Sequence, residues 1–263
     1  MNKLGWRVYG AVRRQSDAEA LQAEGVRPLI MDVADADSVA AAAAQVASER
    51  EGLDGLVNNA GIAVSGPLEY IQVQELSKQL EINVVGQVRT TQAFLPLLRS
   101  VSGRIVLMGS ISGLTTYPFM GPYAASKHAL EAIADSLRME LLPWGLSVSI
   151  IEPGTIRTPI WDKARDDAAR QAETLPPEGL ERYGAMLRAG HAATRRLLPI
   201  APPPERVART VERALTARRP RPRYLIGADA RIQRALQRLL PTRLQHWQLM
   251  AGLQQAARSV KDQ

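Results

Sequence analysis

The chain has no cysteine. That excludes disulfides, thiolate metal sites and a thiol nucleophile, and it fits a reducing compartment, so a cytoplasmic location is expected. No uncharged apolar run reaches the roughly 18 residues that a spanning helix needs. The first residues lack the basic patch and apolar core of a secretory signal. Of the three histidines, His128 sits beside Lys127 and reads as a packing residue, and His191 and His246 have no neighbouring ligand partners; no metal is expected. What is present is a globular composition, 46% apolar over 263 residues. This suits one large α/β domain and excludes wholesale disorder.

The charge is uneven. The net charge is +7 and the isoelectric point about 10.0, which by itself suggests nucleic acid or an anionic membrane. Residues 1–159, however, hold 13 Lys and Arg against 16 Asp and Glu, whereas residues 160–263 hold 20 against 10. The basicity belongs to the C-terminal part, and no nucleic-acid-binding motif accompanies it, so nucleic acid is not an expected partner.

Short apolar segments alternate with amphipathic ones through residue 159, which predicts a doubly wound parallel sheet with helices on both faces. Strands are expected at 6–12, 27–31, 55–57, 104–108 and 146–151. Helices are expected at 17–24, with Ser16 as cap and Gly25 as stop, and at 37–50, 73–99 and 122–142. Residues 1–159 read as the catalytic core. Residues 160–263 read as a lid, a last strand at 223–226 and two basic helices at 230–240 and 243–258, all of the same domain. Prolines 176–177 and 202–204 interrupt the helical texture there. The apolar stripe of the last helices, from Leu236 to Leu253, suits packing or a subunit contact, and a peripheral membrane contact is the other use of such a surface.

The chemistry concentrates around Tyr123-Ala124-Ala125-Ser126-Lys127. In a helix, positions i and i+4 share a face, so Tyr123 and Lys127 point the same way. A nearby ammonium favours the phenolate, which is what a tyrosine needs to act as an acid/base. Ser110 precedes Tyr123 by 13 residues at a strand end. Asn83 lies inside the long predicted helix among apolar neighbours, where an amide requires a partner. Asn58-Asn59-Ala60-Gly61 follows the third strand, where small residues let backbone approach a ligand.

With Asp32-Val33 and Pro153-Gly154-Thr155-Ile156-Arg157-Thr158, these motifs resemble, in order and spacing, the classical short-chain dehydrogenases/reductases, nearest to the branch of retinol and hydroxysteroid dehydrogenases and their bacterial relatives. The resemblance implies a Rossmann-like fold and hydride transfer between a nicotinamide dinucleotide and an alcohol or ketone. Catalytic roles would fall to Asn83, Ser110, Tyr123 and Lys127. Cofactor contacts would come from Arg13, Asp32, Val33, Asn59, Ala60, Gly61, Tyr123, Lys127, Pro153, Gly154, Ile156 and Thr158. The first visible strand ends in Val12-Arg13-Arg14 with no acid, which favours NADP(H) over NAD(H). Apolar Leu114, Tyr117, Phe119, Met120 and Trp161 would line a pocket for a lipophilic substrate. A homo-oligomer, dimer or tetramer, joined through the two long helices that end near Arg99 and Leu142, is also implied.

One departure stands out. The family pattern opens with a strand, a glycine-rich turn and a helix, and none of these precedes Trp6. The expectation is a sheet lacking its first strand and weak dinucleotide binding by the chain as it stands. The alternatives to an oxidoreductase are therefore a catalytically silent scaffold that holds no dinucleotide, and a basic peripheral membrane or nucleic-acid binder.

Overall fold

The computed structural model describes residues 5–158 and 175–261, with side chains through residue 255. Trp161 and the expected boundary at 159/160 lie outside the described residues. The elements are β1 (Tyr9–Val12), α1 (Gln15–Ala23), β2 (Arg27–Ile30), α2 (Ala36–Glu49), β3 (Gly55–Asn58), α3 (Val73–Leu80), α4 (Gly86–Arg99), β4 (Arg104–Met108), α5 (Gly121–Glu140), β5 (Ser147–Pro153), α6 (Pro177–Leu197), α7 (Pro204–Thr216), β6 (Arg223–Ile226), α8 (Ala228–Leu239) and α9 (Thr242–Lys261).

Every strand pairing is parallel. β1 pairs with β2, and separately β3-β4-β5-β6 form a four-stranded sheet. Among the described residues β1 and β3 do not pair, so the two edges neither close up nor share a filler strand. β4 and β5 are nearly continuous apolar runs because both of their faces are covered. Alternate residues of β4 serve the two sides: Ile105 and Leu107 pack with Leu98 of α4 and Leu130 of α5, while Val106 packs with Val211 and Leu215 of α7. A third cluster joins Leu29 and Met31 to Val39 and Val46 of α2 and Phe94 of α4. The Rossmann-like arrangement with helices on both faces is thus as expected.

Local chemistry explains where boundaries shift. Asp35 caps α2 by accepting from the N–H groups of Asp37 and Ser38. α1 begins earlier than expected, at Gln15, because the Arg14 guanidinium grips Asp17 through two 2.8 Å bonds; Ser16 falls inside the first turn and caps nothing. The prolines at 177 and 204 open α6 and α7 rather than break them, since a proline at the first helical position sacrifices an N–H that has no partner anyway. The helix expected across 73–99 is interrupted by one π-helical turn, Glu81–Val85, which separates α3 from α4. Such turns recur at functional sites, and this one carries Asn83.

Candidate active site

The carboxyl ends of β1 to β5 open onto one cavity of about 2290 Å³. A ligand site at these ends is the general rule for open α/β sheets. The volume exceeds the roughly 300–1,000 Å³ of ordinary ligand clefts because the cavity continues between β1 and β3, where Tyr9, Leu56 and Val57 line it.

Tyr123 stands in the first turn of α5. Burial raises its phenol above the usual tyrosine range, and the neighbouring Ser110 side chain opposes that rise. Ser110 is itself fixed, its Oγ accepting the Ser112 N–H at 3.1 Å in a short 3-10 turn. One helical turn on, Lys127 is buried and its Nζ donates to the Met108 carbonyl at 2.6 Å. The ammonium lies 5.6 Å from the Tyr123 ring centroid. Burial pushes Lys127 down to about 8, so a site built around it stores an electrostatic cost. Tyr123, Ser110 and Lys127, brought together from a strand end and the following helix, all line the cavity.

Asn83 is fully buried and is not among the residues that line the cavity. Its Oδ1 accepts from the Ile62 N–H at 2.8 Å, and its Nδ2 donates to the Ile62 carbonyl at 2.9 Å and to Ser126 Oγ at 3.1 Å. It therefore ties the turn after β3 to α5. Gly61 leaves the room: a Cβ there would sit 3.2 Å from Asn83 Oδ1. Replacing Asn83 by Leu strands the Ile62 N–H, and an unsatisfied buried donor costs about 1–3 kcal/mol. Urea unfolding of Asn83→Leu is expected to show that loss, and a change within experimental scatter would contradict the tie.

Sequence reasoning missed the neighbours of Asn83. Gln79, fully buried, receives the Val64 N–H at 2.6 Å and donates to the Ile62 carbonyl at 2.7 Å. Gln87 donates to the Ala60 carbonyl at 3.3 Å, and its buried Oε1 has no partner among the described residues. The spacing 79, 83, 87 was visible as polar positions four apart on an otherwise apolar face. Also missed was Glu152, fully buried at the end of β5 between Arg223 at 2.9 Å and Arg234 at 3.2 Å. Burial raises its carboxyl, with Arg234 pulling the other way.

The remaining expected positions divide. Arg13, Asp32, Val33, Asn59, Ala60, Gly61, Pro153, Gly154, Ile156 and Thr158 all line the cavity, as do Tyr117, Phe119 and Met120. Leu114 is not among the lining residues; its carbonyl is instead held by Gln237. Arg13 approaches Asp32 at 3.9 Å, an acid from the next strand that inspection of β1 alone did not place there. Leu236, Leu249 and Leu253 line the cavity, but Leu239 and Trp247 are 79% and 70% exposed, so that stripe is only partly packed. Among the described residues no cluster suits a metal, and no helix is long and apolar enough to cross a membrane.

Comparison with known proteins agrees with this geometry. The chain is 34% identical over 250 residues to an NADPH-dependent 3-dehydrocapnine reductase of Ornithobacterium rhinotracheale, covering 91% of the chain and 86% of the relative. It is 36% identical over 243 residues to human retinol dehydrogenase 5, covering 88% and 76%. A short-chain dehydrogenase structure from Streptomyces avermitilis superposes with a TM-score of 0.74 at 27% identity, over 95% of this chain and 89% of the other. The family model for short chain dehydrogenase matches residues 1–169, and the chain belongs to that family as an oxidoreductase of its retinol dehydrogenase-like branch.

Proposed function

We propose that the chain interconverts a lipophilic alcohol and its ketone or aldehyde using NADP(H), or less favourably NAD(H), with Tyr123 exchanging the proton of the substrate oxygen. The observation that carries this is the convergence of Tyr123, Ser110 and Lys127 on one cavity. The residues present fit a dinucleotide. The cavity runs along five strand ends, Asn59, Ala60 and Gly61 line it where β3 ends, and Gln87, whose buried Oε1 has no partner among the described residues, lines it too. Arg13, Asp32, Val33 and Asn59 to Gly61 would hold the adenosine side, and Pro153, Gly154, Ile156 and Thr158 the nicotinamide end.

Bound there, the dinucleotide supplies or takes the hydride. Ser110 orients the substrate oxygen by hydrogen bond, and Tyr123 gives it a proton in reduction or removes one in oxidation. Lys127 holds the ribose and favours the phenolate. Asn83, through the turn it fixes, would order a water that returns the proton to solvent. Positioning and electrostatics are the protein's whole contribution. Tyr117, Phe119, Met120, Leu236 and Leu253 make the substrate side apolar, which supports a retinoid, steroid or aliphatic carbonyl. A panel of such ketones and alcohols tests the class; activity confined to small polar carbonyls would overturn it.

Arg13 supports the cofactor preference, because a guanidinium accommodates a 2′-phosphate. The NADPH dependence of the Ornithobacterium rhinotracheale relative is in keeping. NADPH is expected to bind about tenfold more tightly than NADH, the size of one charge-assisted contact, and Arg13→Ala to abolish the difference. Equal thermal shifts with the two dinucleotides in the parent would refute the argument; Asp32, 3.9 Å away, would then be the group that governs this end.

A homo-oligomer belongs to the same reading. Met139, Leu142 and Trp144 are exposed at the end of α5, beside Arg99 of α4, whose guanidinium lies 4.7 Å from the Trp144 ring centroid. Sedimentation at micromolar concentration that finds only monomer would remove it.

A further inference from the structure

Helix α8 carries polar side chains at positions 229, 233 and 237, four apart and hence on one face. Asp229 and Gln233 line the cavity, and Gln237 lies outside it. Asp229 Oδ2 accepts the Thr155 N–H at 2.7 Å, in the segment that follows β5. Gln233 lies beside the Tyr117 hydroxyl and favours its ionised form. The Gln237 amide donates to the Leu114 carbonyl. Leu114 and Tyr117 belong to the segment that joins Ser110 to Tyr123.

The backbone makes room for the first of these contacts. A Cβ on Gly154 would lie 2.3 Å from Asp229 Oδ1, and one on Gly227 would lie 2.2 Å from it; Gly227 also has φ +109°, which only glycine adopts readily. The same helix is anchored from beneath. Arg234 meets the buried Glu152, and Glu152 shares Arg223 with Glu131 and Asp135 of α5. Glu131 lies one turn beyond Lys127.

We propose that α8 is a positioning clamp: Asp229, Gln233 and Gln237 hold residues 153–158 and 111–120 at a set separation across the Ser110–Tyr123 site, although the helix donates no catalytic group. That separation governs whether a substrate oxygen can reach Ser110 and Tyr123 together, and small misplacements of reacting groups are costly. What is positioned rests on the oxidoreductase reading; the clamp itself rests on the hydrogen bonds.

Hydrogen exchange of the full chain at neutral pH tests it. Asp229→Ala is expected to speed exchange in residues 153–158 about tenfold, the scale for losing a charge-assisted bond, while β4 stays protected. Asp229→Asn keeps an acceptor oxygen and is expected to restore protection. Gln237→Ala is expected to loosen 111–120. Ala235→Pro, at an exposed site, breaks α8 and is expected to loosen both segments together. Exchange in 153–158 that is unchanged by Asp229→Ala, or as fast in Asp229→Asn as in Asp229→Ala, overturns the clamp. Should Ala235→Pro also expose β4, the side-chain variants decide alone. In NADPH-linked ketone reduction, kcat is expected to fall about tenfold in Asp229→Ala and recover in Asp229→Asn, with the ketone KM little changed; equal kcat across an active set overturns the positioning role. Exchange is read without cofactor or substrate, so a failed clamp and a failed oxidoreductase reading are separate results.

Discussion

Tyr123→Phe will lower NADPH-linked carbonyl reduction by about 10²–10⁴-fold, the usual worth of a positioned general acid, and leave NADPH binding nearly unchanged. The substitution preserves the ring, its packing in the first turn of α5 and its distance from the Lys127 ammonium; only the hydroxyl beside Ser110 is lost. Burial holds the phenol above its usual range, so at neutral pH the proton resides on Tyr123 and is available to a carbonyl oxygen. Oxidation of an alcohol needs the phenolate and is therefore expected to accelerate as pH rises, while reduction falls as pH climbs through the phenol's titration. Ser110→Ala acts on the same hydroxyl from the other side, removing the influence that opposes the rise, and is expected to shift the alkaline limb of both profiles upward. Steady-state kinetics from pH 6 to 10 with both substitutions checks the assignment. Turnover by Tyr123→Phe close to that of the parent would end the acid/base role.

How much of this was legible in the sequence follows from the kind of information each residue carries. The sheet and its helices follow from periodicity, and Tyr123, Ser110 and Lys127 follow from ordered spacing, because strand ends and helix turns convert sequence distance into spatial distance reliably. Lys127 was read correctly as a neighbour of Tyr123, but its burial, which sets its own charge state, depends on Met108 and the strands beneath it. The π-helical turn at Glu81–Val85 was not legible, since one inserted residue leaves the apolar period almost intact over a single turn. Gln79 and Gln87 were legible as a polar stripe had the spacing from Asn83 been followed. Asp229, Gln233 and Gln237 were not, because their partners lie more than 70 residues away and their own composition is that of any solvated helix face. For the same reason Leu239 and Trp247 were indistinguishable from packed residues until the fold showed which side of α8 and α9 meets the cavity.

The second large effect is thermodynamic. Lys127 titrates near 8 in the folded chain against 10.5 for an unconstrained lysine, because burial disfavours the ammonium and the single Met108 carbonyl bond does not compensate. Between pH 8 and 10.5 the unfolded chain therefore binds more protons at this residue than the folded one, and stability rises with pH across that window; below pH 8 the full penalty is present. A difference of about 2.5 units corresponds to about 3 kcal/mol. Lys127→Met has no such group, so the stability of the parent relative to this variant is expected to rise by about 3 kcal/mol from pH 7 to pH 10.5. Urea unfolding of both proteins at several pH values reads this difference directly, and groups remote from Lys127 cancel. The variant leaves the Met108 carbonyl without its donor, which offsets its absolute stability at every pH by a constant amount and leaves the slope untouched. A stability difference that does not vary with pH would mean that Lys127 keeps an ordinary charge state. Such a flat result would place the lysine in contact with solvent, and the electrostatic cost assigned to this wall of the cavity would have no source.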